Sequence, residues 1–358
     1  MGQGTGILTK YQRTIHEIYY CAMSSKLTSK DKKLLIAFIV VVLFAAFNIS
    51  SYLHHEAKLK TMRGAEWIAY DAEGRLYFTY KENVYRLSSS KASLEKLIET
   101  GLKISSRDIL DIAIAPSGDI YLTDPTLREI HVYSSNGALQ RRLKGHFKEN
   151  ARIEVDNERI YIADMQGNRT FALDMKNGEI LWTDNKYFVP DSLFVRNSVV
   201  YVSDQDRNEI RLLNAENGKV IKKLRTVLSG FYYGSAILVL DDDTILLAPV
   251  YNRDSSLMKC TDDGKLIQAI SGPEGFTPVD MAISPEGKII ITDDENYSFY
   301  SVENNVVELS KFPGTEEFFG DIKEERSSLK KNAFYFKLLL IGCVIFLLGL
   351  YVTYKKTR

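Results

Sequence analysis

The stretch DIAIAPSGDIYLTD, residues 111–124, decides the fold because the chain writes it again and again. RIEVDNERIYIAD follows at 152–164 and DSLFVRNSVVYVSD at 191–204. Aligned on the last residue, six copies cover the middle of the chain: GRLYFTY to Tyr80, GDIYLTD to Asp124, ERIYIAD to Asp164, SVVYVSD to Asp204, DTILLAP to Pro249 and GKIIITD to Asp293. The steps between them are 44, 40, 40, 45 and 44 residues, and a period of that size marks a propeller or a solenoid.

Within a copy the apolar residues come in short runs, separated by turn sequences such as PSGD, DNER, DDDT and PEGK. Runs of that length rich in β-branched and aromatic residues read as strands. In the second copy they predict strands at 111–115, 120–124, 129–134 and 139–143. Four strands per repeat make one propeller blade. The expected class is therefore all-β, a six-bladed β-propeller over residues 57–320.

Two apolar runs flank this body, at residues 34–53 and 334–354. Each has about the 20 residues a helix needs to cross a hydrocarbon core. They predict one transmembrane helix on either side of the propeller. Residues 1–33 would form an N-terminal segment, 321–333 a juxtamembrane linker and 355–358 a tail. Nine basic residues flank the outer ends of the spans: Lys10, Arg13, Lys26, Lys30, Lys32, Lys33, Lys355, Lys356 and Arg358. Seven flank the inner ends: Lys58, Lys60, Arg63, Lys323, Arg326, Lys330 and Lys331. Cytoplasmic flanks carry the excess of Lys and Arg. The expectation is a two-pass protein of the cell membrane, with both termini cytoplasmic and the propeller outside.

The chain carries 46 basic and 46 acidic residues, a balance that argues against a nucleic-acid partner, which selects for a basic surplus. Cys21, Cys260 and Cys343 lie too far apart to suggest a disulfide framework or a zinc spacing.

The phrase TPVDMAISPEGKIIITD, residues 277–293, resembles the NHL repeat of six-bladed propellers. The resemblance covers the body of the chain and weakens where Tyr80 and Pro249 replace the terminal Asp. It implies a domain used mostly for binding, with no particular ligand.

Two sets of acidic residues stand out. Asp124, Asp164, Asp204 and Asp293 end their strands and precede polar turns, three of which carry Arg128, Arg169 or Arg207. They read as turn locks, each Asp accepting backbone N–H groups and pairing with the arginine. Asp111, Asp191 and Asp280 each stand thirteen residues earlier and open the innermost strands of alternate blades. They would ring one mouth of the channel, there to bind a divalent cation or a cationic group, or else to cap their own strands. Arg152 occupies the corresponding place in the third blade and would neutralise one of them.

The loops leading into inner strands bring Tyr187, Phe188, Phe231, Tyr232, Tyr233 and Phe276 to the same side. They suggest a binding surface for a membrane-protein partner, a glycan or a peptide. Packing between blades is the structural alternative. Residues 64–78 also resemble the opening of gluconolactonase-type propellers, in which an early Glu, here Glu66, binds the catalytic metal. That resemblance implies a metal-dependent lactonase-like hydrolase as the alternative function. The asparagines such a site needs are missing near Asp191 and Ser235. No cofactor is required by the binding reading, with a divalent cation in the channel left open.

Overall fold

A computed structural model describes residues 29–62, 64–87, 93–102, 109–186, 189–204, 207, 209–225, 234–249, 256–293, 296–312 and 314–356. After helix α1 (Ser29–Thr61) come six four-stranded antiparallel sheets, each built from one contiguous stretch of chain and each with its strands in sequence order. Blade 1 holds β1 (Ile68–Tyr70), β2 (Leu76–Tyr80), β3 (Asn83–Leu87) and β4 (Leu94–Glu99). Blade 2 holds β5 (Ile112–Ile114), β6 (Ile120–Asp124), β7 (Glu129–Tyr133) and β8 (Leu139–Lys144). In blade 3 the strands are β9 (Ala151–Val155), β10 (Arg159–Asp164), β11 (Arg169–Asp174) and β12 (Ile180–Asp184), and in blade 4 β13 (Pro190–Arg196), β14 (Val199–Asp204), β15 (Glu209–Asn214) and β16 (Val220–Arg225). Blade 5 consists of β17 (Gly234–Val239), β18 (Ile245–Pro249), β19 (Ser256–Cys260) and β20 (Leu266–Ser271). Blade 6 closes the series with β21 (Pro278–Ile283), β22 (Ile289–Asp293), β23 (Ser298–Glu303) and β24 (Val306–Ser310). Helix α2 (Thr315–Lys356) follows.

The six-bladed propeller expected from the repeat is thus the fold, and the predicted strands of the second copy match blade 2 to within a residue at most ends. The turn sequences do what their composition requires. In PSGD and PEGK, Gly118 and Gly287 take φ of 86° and 83°, a region closed to most side chains.

Each sheet buries both faces against its neighbours, so the core is a set of layers between blades rather than one centre. Tyr121, Ile130, Ile153 and Phe171 fill the layer between blades 2 and 3. Tyr161, Trp182, Leu193 and Val200 fill the next, and Ile210, Ile237, Ile245 and Met258 the one after. Two-sided burial explains why the second strands read as unbroken apolar runs, IYLTD and IIITD, with every residue buried.

The ring closes without sharing a blade between the two ends of the domain. Side chains make the seam. Phe78 of blade 1 meets Phe299 of blade 6 edge to face, with ring centroids 5.3 Å apart. Phe319, in the opening turns of α2, sits 6.2 Å from Phe78 and 5.6 Å from Phe299. Phe318 adds contacts to Tyr80 and Tyr85. Beside this cluster a cavity of about 250 Å³ lies between blade 6 and residues 315–323, where Lys323 Nζ donates to Ser298 Oγ at 2.9 Å.

The propeller forms one compact unit, Arg63–Lys323, and the remainder of the two helices forms another. Both helices are long and apolar enough to cross a membrane, the qualifying stretches being Leu35–Leu59 and Thr315–Val352. Phe47, Ile345 and Leu348 are among the many large apolar side chains they leave exposed, unlike the core helices of a soluble domain. Residues 321–333 are helical, part of a 42-residue helix, where the sequence reading expected a linker. The reason is in their composition: DIKEERSSLKKNA has no Pro and, after Gly320, no Gly, so nothing stops the helix before the apolar run. His55 packs its ring 5.3 Å from Phe336 and its Nδ1 lies 2.7 Å from the carbonyl of Ser51, which occupies it structurally.

Candidate functional site

A recurring hydroxyl fixes the innermost strand in four blades. The residue before each terminal position is Thr79, Thr123, Ser203 or Thr292. Its oxygen accepts the backbone N–H of Trp67 at 3.2 Å, Asp111 at 2.9 Å, Ser192 at 2.9 Å and Asp280 at 3.0 Å, respectively. In blade 3 the same place is held by Ala163, paired with Arg152. The structurally equivalent residues around the mouth are therefore Trp67, Asp111, Arg152, Ser192 and Asp280.

Asp191 falls outside that series. A bulge in β13 lies between Pro190 and Leu193, and the strand pairing beyond it joins Leu193 to Val202, which gives Ser192 the equivalent place. Counting thirteen residues back from Asp204 misses by one because the hairpins of blades 3 and 4 close on Val155–Ile160 and Arg196–Val199. Those of blades 2 and 6 close on the wider pairs Ile114–Ile120 and Ile283–Ile289.

Arg152 organises the mouth. Its Nε donates to Asp111 Oδ2 at 2.8 Å and its Nη2 to Asp280 Oδ1 at 2.7 Å. The guanidinium carbon lies 3.9 Å from the centroid of the Trp67 ring, a cation–π contact in a buried setting. Both aspartates also serve the fold directly. Asp111 Oδ2 accepts the N–H of Ile153 in the next blade at 2.8 Å, and Asp280 Oδ2 accepts that of Ile68 across the seam at 2.9 Å. Each carboxylate thus staples its blade to the following inner strand, and Asp111 also caps its own, its Oδ1 accepting the N–H of Ile112 at 3.0 Å. Burial works against the charge on Arg152, but Asp111 and Asp280 outweigh it and keep the guanidinium protonated more firmly than usual.

Two carboxyls are left over. Asp191 feels Arg152, but no donor among the described residues reaches it, and burial pushes its carboxyl up to about 6. Glu154 stands two residues after Arg152, where blades 2 and 6 carry Ala113 and Ala282. Burial, then the neighbouring Asp111 and Asp280, raises its carboxyl to about 8, against the pull of Arg152 and the N–H of Val155. Both side chains remain partly accessible to water.

The aromatic set divides. Phe276 is 2 % exposed and packs 5.1 Å from Tyr300 in the core between blades 5 and 6, so it belongs to the interior and not to a binding face. Its loop is short enough that the ring turns inward to fill space beside Met281. Tyr187, Phe188, Phe231, Tyr232 and Tyr233 lie outside the described residues.

Asp124 and Asp164 act as turn locks. Asp124 Oδ1 accepts the N–H groups of Thr126 and Leu127, both at 2.9 Å. Asp164 Oδ1 accepts Gly167 N–H at 2.9 Å while Arg169 Nε reaches its other oxygen at 3.1 Å. The arginine pairing holds at Arg169 but differs at Arg207, which approaches Glu209 at 3.9 Å.

Comparison with solved structures gives the same architecture. A virginiamycin B lyase from Staphylococcus aureus is similar with a TM-score of 0.54 and 14 % identity, over 70 % of this chain and 84 % of that one. A streptogramin B lyase matches at TM-score 0.53 and 15 % identity, over 70 % and 83 %. The WD40 propeller domain of Doa1 matches at TM-score 0.53 and 11 % identity, over the same shares. The chain shares their fold. No protein-family model and no curated protein sequence matches it. At such identities the likeness carries no activity across, because function belongs to the site and not the scaffold.

The donor set also tests the metal-hydrolase reading. A hard cation takes several oxygen ligands with open positions for water. Here a guanidinium stands between two of the three mouth aspartates, and among the described residues no group of three His, Cys, Asp or Glu is arranged to hold a metal. Glu66 uses its backbone N–H on Thr79 O at 3.0 Å and its carbonyl on Thr292 Oγ1 at 2.9 Å, which ties the seam. Among the described residues no cluster fits a catalytic metal.

Proposed function

We propose that the protein is a membrane-anchored propeller, held by α1 and α2, that works as a binding or scaffold module on the extracytoplasmic side. Its working surface is the mouth around Arg152, and Tyr187, Phe188, Phe231, Tyr232 and Tyr233 are the apolar residues it would use. A membrane-protein partner, a glycan or a peptide fits such a surface. The observation that carries the reading is the division of labour at the mouth. Asp111, Arg152 and Asp280 are consumed in holding blades together, while no donor among the described residues reaches Asp191. A lactonase-like enzyme would instead need a metal at Glu66, and among the described residues no group of three His, Cys, Asp or Glu is arranged to hold one.

The test compares cross-linked capture of membrane partners by the full chain and by the double variant Phe231→Ala, Tyr232→Ala. Loss of the partner at unchanged melting temperature supports the reading. Lactone hydrolysis that requires a divalent metal would replace it.

A further inference from the structure

We propose that the cavity between blade 6 and the opening of α2 binds a small arylalkyl monocarboxylate, with its ring against Phe299 and Phe319 and its carboxylate on Lys323. The site is built on the outer strands β23 and β24, separate from the mouth, and the binding-module reading does not depend on it.

Two surfaces face each other across about 250 Å³. In blade 6, antiparallel pairing sets Phe299 of β23 opposite Ser310 of β24, so both side chains leave the same face of the sheet. On α2, Glu316, Phe319 and Lys323 follow at spacings of three and four residues, which aligns them on one helix face. Phe299 and Phe319 are buried, with ring centroids 5.6 Å apart and planes inclined by 68°, and Tyr297 is buried beside them. Lys311, Glu316 and Lys323 are exposed. The cavity is therefore aromatic at its floor and charged at its rim. Its volume equals that of about eight liquid waters at ~30 Å³ each and falls below the ~300 Å³ where pockets for drug-sized ligands begin, so the occupant is small.

Charge selects the head group. Two lysines and one glutamate line the space, which leaves one positive charge over. Lys311 Nζ is paired with Glu316 Oε1 at 3.2 Å. Lys323 has no carboxylate partner among the described residues, and its Nζ donates to the hydroxyl Ser298 Oγ at 2.9 Å. An ammonium carries three donors, so Lys323 can hold that contact and still serve an anion, with the Ser310 hydroxyl lining the same space. A cation would meet two lysines, and a dianion would leave one charge unmatched beside Glu316. Aromatic walls favour a flat ring set edge to face or offset. One carboxylate on a short arylalkyl body satisfies both demands. Two sources carry that chemistry: a free acid, and a peptide C-terminus ending in Phe.

The experiment uses the full chain in lipid nanodiscs at pH 7, where carboxylates are ionised. Phenylacetate, phenylacetamide, benzylammonium, phenyl phosphate and N-acetyl-Gly-Phe are titrated by calorimetry, with the melting temperature as a second readout. We expect saturable binding of a carboxylate probe, about tenfold or more tighter than phenylacetamide, and no binding of benzylammonium. Lys323→Met should weaken it about tenfold, and Lys323→Arg should restore most of it. Glu316→Gln should tighten it, because it removes a like charge and frees Lys311. Both positions are exposed, and an unchanged melting temperature without ligand checks that the variants fold. Preference for N-acetyl-Gly-Phe over phenylacetate assigns a peptide C-terminus, and the reverse assigns a free acid. No saturable binding, equal affinity for phenylacetamide, tighter binding of phenyl phosphate, or affinity unchanged by Lys323→Met overturns the proposal.

Discussion

Arg152 Nη2 and Asp280 Oδ1 stand 2.7 Å apart although 128 residues separate them in the chain. With Asp111 on the same guanidinium, the contact ties blades 2, 3 and 6 together at the axis. Removing one partner of a buried pair strands the other charge, at a cost of roughly 3–5 kcal/mol. Arg152→Ala leaves two stranded carboxylates, and we expect a loss at the upper end of that range, read as a lower unfolding midpoint in denaturant. The triple change Arg152→Met, Asp111→Asn, Asp280→Asn keeps an acceptor for Ile153 and Ile68 and should recover most of the loss. If Arg152→Ala is neutral, the bridge is not what holds the mouth.

Glu154 sets a pH dependence whose sign can be worked out. Its carboxyl titrates near 8 in the folded protein against an ordinary 4.5. Between those values the folded state binds more protons than the unfolded one, so the contribution of this group to stability falls as pH rises from about 4.5 to about 8 and then levels. Glu154→Gln should flatten that slope and raise the melting temperature most at pH 8. Melting curves of both proteins from pH 5 to pH 8.5 check this, and parallel curves would show that Glu154 titrates normally.

The seam predicts a different kind of sensitivity. Phe319 is buried against Phe78 and Phe299 at the place where the ring closes. Truncating a buried Phe costs about 3–5 kcal/mol. Phe319→Ala should approach that loss in denaturant unfolding of the full chain, and Phe318→Ala, which is only half-buried, should cost less. An exposed-surface effect below about 0.5 kcal/mol for Phe319→Ala would mean that the opening of α2 does not seal the ring.

The repeat made the blades legible, since turn residues and apolar runs recur at one period. Side-chain register at the mouth was less so. Asp111 and Asp280 were found because their hairpins have equal length, whereas the tighter hairpins of blades 3 and 4 hid Ser192 behind Asp191. Glu154 carried a signal that comparison between copies exposes, a carboxyl where Ala113 and Ala282 stand, but its meaning depends on Asp111 and Asp280 arriving from other blades. Trp67 gave no sign, because its ring matters only once Arg152 lies across it. Phe276 misled for a related reason: a loop aromatic looks the same in sequence whether it turns out or in.

Orientation in the membrane is the last expectation to test. Lys30, Lys32 and Lys33 adjoin the first apolar run, and basic residues near a first span are retained on the cytoplasmic side. On that expectation two spans would return the chain to that side and leave the propeller outside. Lys144, Lys176, Lys223, Lys265 and Lys288 are exposed on the blades and report the side they face. A membrane-impermeant amine reagent applied to intact cells should label these lysines, mapped by peptide mass. Lys355 and Lys356 should react only after lysis. The opposite pattern would place the propeller, and with it the mouth and its partner, in the cytoplasm.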